Sequence, residues 1–188
     1  MASERLVDLR GTRVIVIDDN GQSLELISQI LMGFRVEKIV ACRSPEEGWA
    51  KICIQRFDLI LMDLEMEGED GLALTKRLRR QTDHPNVTAP VVILSGHTPI
   101  DRVHEARDCG ANLVIKKPIA PGVLLARIIW LATRPRTFVT SADYCGPDRR
   151  FRKGPPPGEV GERRADALAL TAAPMRAMSQ DDIDSLFG

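Results

Sequence analysis

The chain has 188 residues, 44% of them hydrophobic, which allows one ordinary domain plus an appendage but hardly two full domains. Its 26 basic and 26 acidic residues cancel, so no whole-chain field draws it to nucleic acid or to an anionic membrane. Cys42, Cys53, Cys109 and Cys145 show no C-x-x-C spacing, which disfavours both zinc and a disulfide framework.

Three of these thiols, Cys42, Cys53 and Cys109, stand in apolar contexts where cysteine acts as a small hydrophobe. The N-terminus has no apolar stretch of signal-peptide length, and no run reaches the ~20 residues of a membrane span. The expected compartment is the cytoplasm, with no membrane partner.

From about Arg13 to Thr133, short β-rich runs alternate with helical patterns. Val14-Ile15-Val16-Ile17 reads as a first strand and ends in Asp18-Asp19. A helix follows over Gln22 to Met32, with Leu24, Ile27, Ile30 and Leu31 on one face. A second strand is expected near Val36 to Cys42. Ser44-Pro45-Glu46-Glu47 then starts a helix, with serine as cap, proline in the first turn and Glu47 three residues after the cap. The third strand ends Leu59-Ile60-Leu61-Met62-Asp63, and a Gly-rich loop leads to a helix from Gly71 to about Arg80. Val91 to Leu94 delivers Ser95, Thr98-Pro99 starts a fourth helix and Cys109-Gly110 closes it. Leu113 to Lys116 delivers Lys117, and Lys117-Pro118 leads into a last helix over Gly122 to Ala132. Five strands separated by helices imply right-handed crossovers and a doubly wound α/β fold, a five-stranded parallel sheet covered on both faces.

A polar residue directly after a buried strand lies at the strand's C-terminal edge, where open α/β sheets bind ligands. Asp18, Asp19, Asp63, Ser95 and Lys117 therefore converge on one rim. Three acids, a hydroxyl and an ammonium can hold a divalent cation through oxygens, present a carboxylate nucleophile and stabilise a phosphoryl group.

These pieces, together with Met62-Asp63-Leu64-Glu65-Met66 and Asp70-Gly71, resemble the receiver domain of two-component response regulators over residues 11–134. The resemblance implies a flavodoxin-like fold, with Asp63 as phospho-acceptor. It implies Mg²⁺ held by Asp18, Asp19, Asp63 and the backbone carbonyl of Glu65. Ser95 would then turn its hydroxyl toward the acyl phosphate, and Lys117 would pair with the phosphoryl oxygens. Two departures stand out. Family members commonly carry proline four residues past the acceptor and an apolar residue two further on, where this chain has Glu67 and Glu69, so the loop is acidic and expected to be flexible. Val114 stands three positions before the lysine, where an aromatic switch residue is common, so a ring toggle is excluded and Ser95 with the Gly96-His97-Thr98 loop is left to move.

Residues 135–177 are read as a Pro/Gly-rich linker, mostly disordered, on the strength of stretches such as Gly154-Pro155-Pro156-Pro157-Gly158. Glu162 to Ala173 is at most a weak helix. Residues 178–188 change again: Ser179 is a candidate cap, Asp182 stands three residues later, and Ile183, Leu186 and Phe187 share one helical face. Met178 to Phe187 is similar to the acidic peptide with which flagellar motor switch proteins dock on chemotaxis receivers, and to the receiver-binding C-terminal helix of the chemotaxis phosphatase. It is expected to bind a receiver domain or a motility or chemotaxis protein as a helix in a groove, or to fold back on its own domain.

The function expected is that of a phosphoacceptor signalling protein, not an enzyme acting on outside substrates. It receives its phosphoryl group from a histidine kinase or phosphotransfer protein and acts by protein contact. No helix-turn-helix pattern or sustained basic face is available for DNA binding. The alternatives are a phosphorelay shuttle, a phosphate sink, or a phosphohydrolase with Asp63 as nucleophile.

Overall fold

Val14, Ile15, Val16 and Ile17 are all buried in β1 (Arg13–Ile17), as are all five residues of β3 (Leu59–Asp63) and of β4 (Val91–Ser95). Uninterrupted apolar strands of this kind are stable only when helices cover both faces of the sheet, each large aliphatic side chain contributing about 1.5–3 kcal/mol when fully buried. The computed structural model describes residues 8–97, 99–134, 136–141, 144–148 and 180–187. The strands align in the order β2-β1-β3-β4-β5, all parallel, with β2 at Lys38–Cys42 and β5 at Leu113–Lys116. This is the doubly wound, flavodoxin-like sheet that the alternating pattern implies, with its crevice where the order reverses between β1 and β3.

The Ser44 cap forms as the sequence implies, and two further side-chain caps, Asn20 and Asp70, open the helices on either side of it. Asn20 accepts hydrogen bonds from the backbone N–H groups of Gln22 and Ser23 and opens α1 (Gly21–Gly33), which buries Leu24, Ile27, Ile30 and Leu31. Ser44 accepts from the Glu47 N–H and opens α2 (Pro45–Ile54), with Pro45 in the first turn, while the Glu47 carboxylate reaches back to the N–H of Arg43. Asp70 caps α3 (Gly71–Arg79) through the Ala73 N–H. α4 spans Ile100–Asp108 and α5 spans Pro121–Thr133, each within two residues of its expected start.

Beyond Thr133 the structure departs from a plain linker. β6 (Phe138–Thr140) and β7 (Cys145–Pro147) pair antiparallel. This hairpin packs back on the domain: a Cβ on Gly146 would meet Gly110 Cα at 2.8 Å, and the Arg79 guanidinium lies over the Phe138 ring at 5.1 Å. Two glycines in backbone contact and a buried arginine hold it, so it shows none of the apolar alternation by which sequence reveals a strand. Arg79 itself donates to the carbonyls of Gly110, Val87 and Ala89 and to Asn112 Oδ1.

α6 (Gln180–Phe187) packs against β5 and α4, with Ile183 fully buried. Ser179, the segment 162–173 expected as a weak helix and most of the expected linker lie outside the described residues, as do the side chains of Asp182, Leu186 and Phe187. Cys53 is exposed, against the apolar context that suggested burial, because its position on α2 faces away from the sheet; Cys42 is buried and Cys109 half-buried.

Candidate phosphoacceptor site

The strand register brings the site together. Asp63 is the last residue of β3 and pairs with Leu94, the residue before Ser95, while Ser95 pairs with Lys116, the residue before Lys117. The Lys117 N–H donates to the Ser95 carbonyl at 2.7 Å, continuing the ladder past the end of β5. On the other side, the Asp18 N–H donates to the Cys42 carbonyl at 3.1 Å and fixes Asp18 just beyond β1. All five residues that sequence places on the rim are therefore there.

Their side chains form two layers. Asp18 is fully buried: Oδ1 accepts from the Asn20 N–H at 2.9 Å, and Oδ2 accepts from Ser23 Oγ at 2.6 Å and from Lys117 Nζ at 2.8 Å. Asp63 is 7% exposed and takes Lys117 Nζ on Oδ1 at 2.7 Å. Asp19 is exposed, and its Oδ2 accepts from the Glu67 N–H at 2.9 Å. One oxygen from each of Asp18, Asp19 and Asp63 lies within 4.8 Å of the others. Three carboxylates this close repel one another, and a single ammonium cannot neutralise them all. A hard divalent cation suits such an all-oxygen set. The residues present thus fit the Mg²⁺ that the receiver resemblance implies.

Burial pushes the Asp63 carboxyl above its ordinary range; Lys117 opposes this, and the charge on Asp18 adds to it. Burial alone would lower the Lys117 ammonium, but its hydrogen bonds to Asp18 and Asp63 outweigh that effect and hold its pKa above the ordinary value. Ser95 is buried and its Oγ donates to the His97 carbonyl, so the hydroxyl is engaged with its own loop. Val114 is buried on β5, as its aliphatic side chain requires.

The acidic loop after Asp63 is tied down, contrary to the expectation of flexibility. The Glu67 N–H is held by Asp19, and Glu69 pairs with Arg77 at 3.1 Å. Asp70 pairs with Arg102 at 3.0 Å, Met66 is buried, and Gly68 takes the turn at φ +88°. Glu65 projects into solvent two residues past Asp63. Glu69 and Asp70 each meet an arginine on a neighbouring helix, a pairing that local sequence does not display.

Three contributors escaped the sequence reading. Ser23 and the Asn20 N–H orient Asp18, and the run Asp18-Asp19-Asn20-Gly21, with its side-chain turn chemistry, was the available signal. Gly71 was read only as a helix start. A Cβ there would lie 2.2 Å from the Asp63 carbonyl oxygen, and the Gly71 N–H donates to the Leu64 carbonyl at 3.0 Å, so α3 begins against the backbone of Asp63 itself.

The response regulator receiver domain family matches residues 14–129. The sensory/regulatory protein RpfC of Xanthomonas campestris is 26% identical over 134 residues, covering 71% of this chain and 18% of that protein. The phosphate regulon transcriptional regulatory protein PhoB of Pseudomonas aeruginosa is 30% identical over 118 residues, covering 63% of this chain and 50% of that protein. The chain thus spans half or less of the length of these relatives. Among solved structures, the chemotaxis response regulator CheY4 of Vibrio cholerae shares the fold at 24% identity and TM-score 0.58, covering 63% of this chain and 96% of that one. The receiver domain of the histidine kinase CKI1 from Arabidopsis thaliana, complexed with Mg²⁺ and BeF₃⁻, aligns at 27% identity and TM-score 0.57, covering 64% of this chain and 91% of that one. The strand order, the acids at its crevice and the family match across the whole sheet agree, and the chain belongs to the response regulator receiver family of two-component signalling.

Proposed function

We propose that this protein accepts a phosphoryl group on Asp63 from a histidine kinase or phosphotransfer protein and signals through protein contact rather than DNA binding. The observation that carries this reading is the pairing of Asp63 with Lys117 Nζ at 2.7 Å, inside a carboxylate cluster with Asp18 and Asp19.

A carboxylate oxygen of Asp63 attacks the donor phosphorus; an O–P bond forms, the bond to the donor's leaving group breaks, and that group leaves with its electron pair and takes a proton from solvent. Hydrolysis reverses the outcome: water attacks phosphorus, the acyl O–P bond breaks, and inorganic phosphate and free Asp63 result. Asp18, Asp19, Asp63 and the Glu65 carbonyl would hold Mg²⁺. The cation supplies neutralisation of the phosphoryl charge. Lys117 follows the phosphoryl oxygens, and Ser95 exchanges the His97 carbonyl for a phosphoryl oxygen. Glu65, two residues past the acceptor, and His97, two past the hydroxyl, flank the path of attacking water. The tail helix is the second functional element, a ligand for a receiver domain or for a motility or chemotaxis protein, and the cytoplasm is the site of action.

The test is incubation with Mg²⁺ and acetyl phosphate, followed by mass spectrometry of the modified residue. Label on Asp63, lost in Asp63→Asn and without Mg²⁺, supports the reading. Acyl phosphate persisting in Asp63→Asn overturns it.

A further inference from the structure

Among the described residues β5 is the last strand of the sheet, so the outer N–H and C=O groups of Val114 and Lys116 have no strand partner there, and an open edge of this kind is a template for any chain that can pair with it. Here the side chain of Gln180 fills it. Gln180 Oε1 accepts from the Lys116 N–H at 2.7 Å, and Nε2 donates to the Val114 carbonyl at 3.1 Å. A primary amide is the side chain that offers a donor and an acceptor side by side, so Gln180 imitates one residue of a sixth strand. Its second amide hydrogen goes to Asp184 Oδ1 at 2.9 Å, one turn along α6. Asp184 in turn pairs with Arg127 of α5. Ile183, between them, is fully buried against the domain. Edge pairing, an apolar anchor and an ion pair to the flanking helix together make a built contact, with α4 on its far side.

We propose that the face formed by α4, β5 and α5 is a docking surface for an acidic amphipathic helix that this chain fills with its own α6, so that an outside helix of the same chemistry binds only by displacing it. This rests on the reading of α6 as a receiver-binding helix and adds where it is bound, through which residues, and with what consequence. The covalent connection through residues 149–179 makes the contact unimolecular, at an effective concentration of about the millimolar range. An outside ligand of micromolar intrinsic affinity is then weakened by roughly tenfold or more, because only the fraction of molecules with the face open can bind it. Gln180 gives the contact its specificity: glutamate in its place would lose the donor to Val114 and set a charge against that carbonyl and Asp184.

The experiment uses the full chain. A fluorescent peptide of residues 175–188 is titrated against the wild type, Gln180→Glu and Ile183→Ala, and amide hydrogen exchange is followed at Lys116 at low micromolar protein. The proposal expects a peptide affinity at least about tenfold higher for both variants than for the wild type. It also expects a protected Lys116 amide in the wild type that becomes exposed in Gln180→Glu, at any protein concentration. Equal peptide affinity for all three proteins overturns the internal occupancy while keeping α6 as a receiver ligand. Absence of peptide binding to any of them overturns both. Lys116 protection that appears only as protein concentration rises assigns the contact to a second copy and overturns the proposal in its internal form.

Discussion

Lys117 Nζ and Asp63 Oδ1 stand 2.7 Å apart, and the same ammonium reaches Asp18 Oδ2 at 2.8 Å, so one cation bridges Asp63 and its buried neighbour. Removing it leaves two carboxylates together in a low-dielectric site. Lys117→Ala is therefore expected to lose about 3 kcal/mol of stability at neutral pH, the usual scale for breaking a buried pair from one side. A divalent cation can replace part of the missing charge. Mg²⁺ titrated into the variant should raise its melting temperature by more than it raises that of the wild type, as read by differential scanning calorimetry. Equal Mg²⁺ effects on the two proteins would show that the ammonium and the cation do not share a role.

Much of this rim could be read from the chain because the signals are local. An apolar run followed by an acid, a hydroxyl or a lysine places that residue at a strand end, and Asp18, Asp63, Ser95 and Lys117 all obey. The cap at Ser44 was legible for the same reason, as a serine followed at once by Pro45 and Glu47. What escaped depends on partners distant in sequence. The loop acids look unpaired until Arg77 and Arg102 reach Glu69 and Asp70. Arg79 reads as surface charge on α3 until its 3% exposure and its bonds to Val87, Ala89 and Gly110 are seen. Gln180 gives no periodicity signal at all, because its importance comes from the open edge of β5.

Arg79 is expected to be a large structural contributor despite lying away from Asp63. It satisfies three carbonyls and Asn112 Oδ1 and supports Phe138 of the hairpin. Arg79→Met keeps much of the volume but takes the guanidinium from the three carbonyls of Gly110, Val87 and Ala89, while Asn112 Oδ1 keeps the Val91 N–H; each unsatisfied buried group costs about 1–3 kcal/mol. Urea unfolding should show a loss of at least about 3 kcal/mol, with proteolytic cleavage appearing first near the hairpin. A loss below 1 kcal/mol would mean that water replaces the guanidinium and the site is not dry.

The thiols give a pH-dependent handle. Burial pushes Cys42 and Cys109 up to about 11, whereas Cys53 is exposed. The thiolate is the reactive form, so at pH 8 alkylation of the folded protein should label Cys53 well before Cys42 or Cys109, as residue-resolved mass spectrometry would record. Stability follows with a definite sign. Each of these two thiols keeps its proton in the folded state while the unfolded one releases it near its ordinary pKa of about 8.5, so the contribution is intact below that value and is lost as pH rises toward 11. Replacing Cys42 and Cys109 by alanine should flatten the decline in melting temperature over this window. An unchanged slope would assign the alkaline loss to other groups.

Gly71 links helix packing to the acceptor most directly. α3 starts so close to β3 that a Cβ at this position would lie 2.2 Å from the Asp63 carbonyl oxygen, and the obstacle is backbone rather than a side chain that could turn aside. Gly71→Ala must therefore push α3 outward or shift the acceptor. Overpacking of this kind costs about 1–3 kcal/mol. The strain falls on the peptide that carries the proposed nucleophile, Asp63, and, through the Gly71 N–H bond to Leu64, on the start of the loop leading to Glu65. The expected outcome is a lower urea midpoint with an unchanged m-value, together with slower acetyl phosphate labelling of Asp63 under conditions where the variant is fully folded. Gly33→Ala, at the end of α1 where an added Cβ meets nothing within 4 Å, is the control and should leave labelling unchanged while raising, not lowering, the urea midpoint through helix propensity. Wild-type labelling in folded Gly71→Ala would show that α3 yields freely and that the acceptor's position does not depend on this contact.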